Sequence, residues 1–180
     1  MWRDGLTARQ VLLLTAVLAF TAAILASCVK PVERSSWGWG RSFVVNVSQI
    51  RKIQQVAYFD DDGKRYVIRT SSPDNQLLLF KVVIVNQEVS KALLLVDDDA
   101  AYIENLRGDR FIPLDHTKAR VEVQESQPEE NIYLPFLWGE LEVVLNYQVE
   151  GWMLFDVPKD VKITRFNWQE ADSVTVELAR

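Results

Sequence analysis

The chain has 180 residues, with 25 acidic and 20 basic side chains, a net charge of −5, one cysteine and one histidine. An acidic balance is repelled by phosphate backbones, which argues against nucleic-acid binding, and a lone thiol excludes an internal disulfide and zinc sites of the Cys–His type. The roughly 150 residues beyond the N-terminal segment suffice for one domain with a sizeable apolar interior.

The chain opens with Arg3 and Arg9 against Asp4, followed by an uncharged run, Val11 to Leu25. At about 1.5 Å per residue this run reaches roughly 22 Å, short of a hydrocarbon core of about 30 Å, while counting on to Val29 reaches roughly 28 Å. Length alone therefore leaves two readings: a cleaved export signal or a retained single-pass helix. The next stretch, VKPVERSSWGWGR, Val29 to Arg41, has no periodicity and reads as a tether of roughly 20 Å r.m.s. reach. Its Trp37 and Trp39 are expected to fold back on the domain.

From Phe43 the pattern changes to period two, the signature of strands. Phe43, Val45 and Val47 share one face, with Val44 and Asn46 on the other. Val56–Phe59 and Arg65–Thr70 form a hairpin around an Asp-Gly turn. Gln76–Asn86 is nearly all apolar and reads as a central strand covered on both sides, with Leu78, Phe80, Val82 and Ile84 inward and Lys81 on the less covered face. Residues 92–96 give another strand, and residues 100–114 a second hairpin turning at Arg107-Gly108-Asp109. Val121 and Val123 mark one more strand. An acidic, proline-containing loop follows and is expected to cross between sheets. Residues 141–151 then alternate as one strand, Val143, Leu145, Tyr147 and Val149 opposite Glu142, Val144, Asn146, Gln148 and Glu150. Three further short strands close the chain, and no helical stripe is read after the N-terminal segment apart from a possible turn near Asp97–Ala101. Short strands with turn signals every 8–12 residues or so argue for an antiparallel sandwich.

Two resemblances refine this outline. Leu25, Ala26, Ser27 and Cys28 resemble the lipobox of bacterial lipoproteins, in which the cysteine is lipidated and the preceding peptide bond is cut. The resemblance implies a signal peptide over 1–27, lipid at Cys28, a tether over 28–41, and a domain over 42–180 facing outside the cytoplasm. The exported part would carry 18 basic and 24 acidic residues. Two or three acyl chains hold a protein stably on a bilayer. The combination LLLFKVVIVNQ, ENLRGDRFIPL and GWMLFDVPKDVKITRF is similar to the DUF4352 type of bacterial, often lipid-anchored, immunoglobulin-like domains. Asn86, Gly108, Phe111, Gly151, Phe155, Val157 and Pro158 occupy the matching positions. That likeness covers about residues 76–178, departs in the acidic loop at 124–131, and implies an immunoglobulin-like β-sandwich with no catalytic residues to carry over.

Several constellations invite chemistry. Asp60–Gly63 and Asp97–Asp99 cluster carboxylates as a hard cation would need, but consecutive acids diverge, so solvated turns are expected. His116 stands beside Asp115, yet no strained G-x-S-x-G elbow supplies a nucleophile, and a surface loop is expected. Asn46-Val47-Ser48 is formally a glycosylation acceptor but lies within an expected strand. Trp138, Trp152 and Trp168 are expected to pack. The sequence thus points to a non-catalytic, cofactor-free binding or accessory module for another envelope protein. Trp37, Trp39, Trp138 and the 124–138 loop are the candidate contacts. The alternatives are a single-pass membrane subunit retaining Val11–Val29 as a helix, and a metal-dependent hydrolase built on the Asp loops or His116.

Overall fold

A computed structural model of the protein describes residues 35–178; the apolar run and Cys28 lie outside the described residues. The described chain is all-β. Its strands are β1 (Ser36–Trp39), β2 (Phe43–Ile53), β3 (Gln55–Phe59), β4 (Arg65–Arg69), β5 (Asn75–Asn86), β6 (Lys91–Val96), β7 (Ala101–Asn105), β8 (Arg110–Phe111), β9 (Arg120–Val123), β10 (Gly139–Val144), β11 (Gln148–Pro158), β12 (Ile163–Trp168) and β13 (Val174–Glu177), with one short helix, α1 (His116–Ala119). Every strand ladder is antiparallel. They form four sheets, ordered β1-β2-β5-β11, β13-β12-β7-β8, β10-β6 and β3-β4-β9.

The apolar run of β5 dictates the layering. Leu78, Phe80, Val82 and Ile84 point into a core shared with Phe43, Val45 and Val47 of β2 and Phe155 of β11 on the same sheet. Across that core lie Leu94 of β6, Ile103 of β7, Val143 of β10, Phe166 and Trp168 of β12, and Val174 and Val176 of β13. Its centre is aromatic: the Phe80 ring lies 5.3 Å from Phe155 and 5.9 Å from Phe166. The alternate residues Leu77 and Leu79 point the other way, into a second core with Val56, Tyr58, Tyr66 and Ile68 of the β3-β4-β9 sheet and with Trp152 and Leu154 of β11. Both faces of the central sheet are therefore covered along this part of β5, as a continuous apolar strand requires. Lys81 is half-buried and pairs with Glu150 at 3.6 Å. The hairpins turn where the glycines predict, with Gly63 at φ +80° and Gly108 at φ +86°.

Three features differ from expectation. The tether ends early: Ser36–Trp39 is a strand, paired with β2 from Ser36↔Val47 to Trp39↔Val44. It also lies against β13, where a Cβ on Gly38 would come within 2.5 Å of the Thr175 carbonyl oxygen. Secondly, residues 141–151 are not one strand. The chain turns at Leu145–Tyr147, with Asn146 at φ +66°, and Leu145 and Tyr147 are exposed while Val143 is buried. Asn tolerates the left-handed region, so the alternating pattern conceals a turn without glycine. Thirdly, α1 is present, capped by Asp115, whose side chain accepts hydrogen bonds from the backbone N–H groups of Thr117 and Lys118.

Asn86 closes the central strand and ties three segments together. Its buried side-chain amide donates to Val89 O at 2.7 Å and Val143 O at 2.8 Å, and its Oδ1 accepts from Val89 N at 3.0 Å. Its backbone N–H donates to Tyr147 O, and its carbonyl accepts from Asn146 N. Replacing Asn86→Ala orphans the side-chain partners and is expected to destabilise the fold by roughly 1–3 kcal/mol. Phe80→Ala should cost about 3–5 kcal/mol through the cavity it leaves. Leu93→Ala, at a residue 71% exposed, should leave the denaturant midpoint nearly unchanged. Equilibrium unfolding of the three variants checks the order.

Candidate interaction surfaces

The Asp60–Asp62 turn is held by its own hairpin and the neighbouring strand. The Arg120 guanidinium at the start of β9 binds the Asp60 carboxylate, lies 3.5 Å from the Tyr58 hydroxyl, and sits 4.0 Å over the Tyr66 ring. The Tyr66 hydroxyl donates to Asp62 Oδ2 at 2.6 Å, which is the main cause holding the Asp62 carboxyl below its ordinary range. The two carboxylates thus point at different partners, and the cluster latches β3, β4 and β9 together. In the second acidic turn, Asp97 Oδ1 accepts from the Asp99 backbone N–H at 2.9 Å. Among the described residues no three His, Cys, Asp or Glu side chains converge as a metal site needs.

His116 opens α1 and packs its ring 4.5 Å from Phe136 and edge-on to Trp138 at 6.1 Å. The expected surface histidine is in fact partly buried. Burial is the largest influence on the imidazole and lowers its pKa, against the opposing charge of Asp115. Asp115 does not orient the ring, because its carboxylate accepts from Thr117 N and Thr117 Oγ1, at 2.9 and 2.6 Å, and from Lys118 N at 3.3 Å. The unit is a packed cap, and among the described residues no carboxylate hydrogen-bonds the His116 ring. Asn46 is 4% exposed and donates its amide to Ser35 Oγ at 2.5 Å and Ser36 O at 2.9 Å. The formal glycosylation acceptor is thereby spent on β1 and the residue before it.

The three tryptophans expected as contacts divide between two places. Trp37 and Trp39 are 48% and 69% exposed, and their rings stack at 6.4 Å with 28° between planes. They stand on the outer face of the central sheet, where the register aligns Trp39 with Val44, Val85 and Gln148, and Trp37 with Asn46, Val83 and Glu150. The backbone of this segment does fold back, but the rings project into solvent. The closely packed Gly38 between them is the reason: its face of β1 lies against Val174 and Val176, leaving the flanking side chains only the outer side. Trp138 lies beside His116, near the opposite edge of the same sheet, where Phe136 bridges Trp152 of β11. Three strand spacings, roughly 14 Å, separate that edge from β1. Trp152 and Trp168 are buried as expected.

Sequence reading missed a further surface on the β10-β6 sheet. Leu93 and Leu95 of β6 are 71% and 51% exposed, and their side chains share the outer face with Glu140 and Glu142, directly opposite them on β10. The alternation K-A-L-L-L-V carries the signal, because Ala92, Leu94 and Val96 fill the core and send the intervening leucines outward. Among the described residues no helix is long and apolar enough to cross a membrane.

No protein-family model and no curated protein matches the chain, so the DUF4352 likeness rests on the residues quoted for it. Among solved structures the chain is similar to the crystal structure of "a putative lipoprotein (ycdA)" from Bacillus subtilis subsp. subtilis str. 168, at 17% identity and a TM-score of 0.48, over 83% of this chain. The chain spans 39% of that structure's length, and a likeness at this score carries no argument about fold or role.

The cap on α1 has a pH signature. Partial burial alone would raise the Asp115 carboxyl, but the hydrogen bonds from Thr117 and Lys118 outweigh it and hold it down at about 2. A depressed carboxyl stabilises the fold above its unfolded pKa, near 4, and that contribution disappears as pH falls from about 4 to about 2. Acidification to about pH 2 should therefore cost the wild type roughly 2 kcal/mol more than Asp115→Asn, which lacks this titrating group but shares the depressed Asp62 and Asp172 carboxyls. Denaturant midpoints of both proteins at neutral and acid pH measure the difference.

Proposed function

We propose that the chain is a membrane-anchored, extracytoplasmic binding or accessory module for another envelope protein or complex, non-catalytic and built on an immunoglobulin-like β-sandwich. The observation that carries this reading is the stacked, exposed Trp37–Trp39 pair, fixed on a sheet by the close packing of Gly38. Large aromatic rings held in place at little entropic cost are what protein interfaces use as anchors. The half-buried Val83 and Val85 continue the apolar strip across the sheet, and the Lys81–Glu150 pair gives it a polar border. Leu25-Ala26-Ser27-Cys28 supplies the proposed attachment: lipid on Cys28, with β1 starting eight residues later in the chain. A second reading, a single-pass subunit with Val11–Val29 retained, is favoured by the length of that run, which reaches roughly 28 Å.

Mass spectrometry of membrane-extracted protein separates the two readings of the anchor. Acyl mass on an N-terminal Cys28 is expected, and an intact Met1 without acyl mass overturns it. The contact surface is tested with a photo-reactive phenylalanine analogue at Trp39 and, as a control, at the exposed Val121 on β9. A discrete cross-linked product from position 39 only is expected, abolished by Trp37→Ala. Equal yields from both positions would sink the assignment. Trp37→Ala should leave the unfolding midpoint within about 0.5 kcal/mol of wild type, because the ring is exposed.

A further inference from the structure

We propose that the free edge of β6 is a strand-addition site for an extended segment of a partner protein that alternates basic and apolar residues. The backbone register defines the edge. Leu145 N–H donates to Ser90 O, and the antiparallel pairing continues that alignment through Val143↔Ala92, Leu141↔Leu94 and Gly139↔Val96. In an antiparallel ladder every second residue turns its N–H and C=O to the neighbour and the others turn theirs away. The ladder to β10 therefore runs through Ala92, Leu94 and Val96, and the backbone groups of Leu93 and Leu95 face outward. Their orientation is visible directly at Leu95, whose N–H donates to Glu170 Oε1 at 3.2 Å instead of to a strand. By this register the N–H and C=O of Leu93 and the C=O of Leu95 face away from β10, and among the described residues β6 has no second neighbour in its sheet.

Chemistry at this edge selects the occupant. Leu93 and Leu95 offer exposed apolar side chains beside the unpaired backbone, the combination that strand addition exploits. Around them a depression of about 430 Å³ is lined by Leu93, Leu95, Glu140, Glu142 and Glu170, with no basic side chain in the lining. The nearby Lys91 is already paired with Glu142 at 2.6 Å. Joining this edge to its counterpart on a second copy would crowd six carboxylates around two lysines, which disfavours self-pairing. An incoming strand with Lys or Arg at alternate positions would instead meet Glu140 and Glu170, while its backbone replaces the Glu170 carboxylate at Leu95 N–H. The inference concerns a different surface from the tryptophan pair and does not depend on lipid attachment.

The test uses the full-length protein in detergent micelles and a fluorescein-labelled peptide of alternating lysine and valine, about eight residues long to span the six-residue strand. Saturable binding is expected, weakened at least about tenfold when the peptide is N-methylated on alternate residues or carries glutamate in place of lysine. Leu93→Pro removes an outward N–H that β10 does not use, so it should keep the native circular dichroism spectrum while weakening the peptide about tenfold or more. If that variant unfolds, the N-methylated peptide decides alone. Trp37→Ala should bind the peptide as wild type does, which keeps this test separate from that of the tryptophan surface. No binding, equal binding of the N-methylated peptide, equal binding by a folded Leu93→Pro, or peptide binding lost in Trp37→Ala would each overturn the assignment. So would a dimer of the free protein that Leu93→Pro dissociates, since the edge would then belong to a second copy.

Discussion

The structure depends on one strand having to be dry on both faces. From Gln76 to Phe80, β5 is 7% exposed or less at every residue, so polar cover is needed on neither side and apolar cover on both. One neighbouring layer cannot provide it. The chain responds by building the main sandwich on one face from β6, β7, β10, β12 and β13, and by laying β3-β4-β9 over the other. Only Gln54 separates β2 from β3, so the cover arises from an almost continuous run that leaves the central sheet and folds across it. Where this second layer stops, the outer face of the central sheet is open, and there the tryptophan pair and the Val83–Val85 strip stand.

Charged and amide side chains in this fold mostly act as fasteners for turns and strand ends. Asp172 in the β12–β13 turn accepts from Ser42 N and Phe43 N at 2.7 and 3.0 Å, joining it to the β1–β2 turn. Asp115 caps α1, Asp60 holds Arg120, and Asn86 secures the loop after β5 and the turn between β10 and β11. Each satisfies backbone or guanidinium groups that would otherwise be left without partners near the core. Asp60 and Asp115, which invite chemistry when read in sequence, thus also serve as joints.

Much of this could be read from the chain because local patterns and tertiary needs agree. The two-sided burial of β5 is written in an apolar run interrupted only by Lys81, and the Asp-Gly and Arg-Gly-Asp turns set their hairpins. What escaped reading is fixed by partners distant in sequence. Ser36–Trp39 has too few residues to show a period, and it becomes a strand because Gly38 fits against β13, well over a hundred residues later. The turn at Asn146 keeps the alternation of its flanks, and only the excessive length of an unbroken strand from Leu141 to Pro158 hints at it. His116 gives no sign that Phe136 and Trp138 will wall it in, since the loop carrying them is assigned its path by the core beneath. The exposed leucines of β6 were legible as alternation, but their unpaired backbone is a matter of which strands end up adjacent.

The stacked indoles of Trp37 and Trp39 have a spectroscopic corollary. Two chromophores this close couple their electronic transitions, and where the transition moments are not parallel the coupling shows as an exciton couplet in circular dichroism. The couplet needs Gly38 seated, since that contact holds the two rings in register on the same side. The pair thus offers an optical gauge of the entry strand, responsive to events that lift β1.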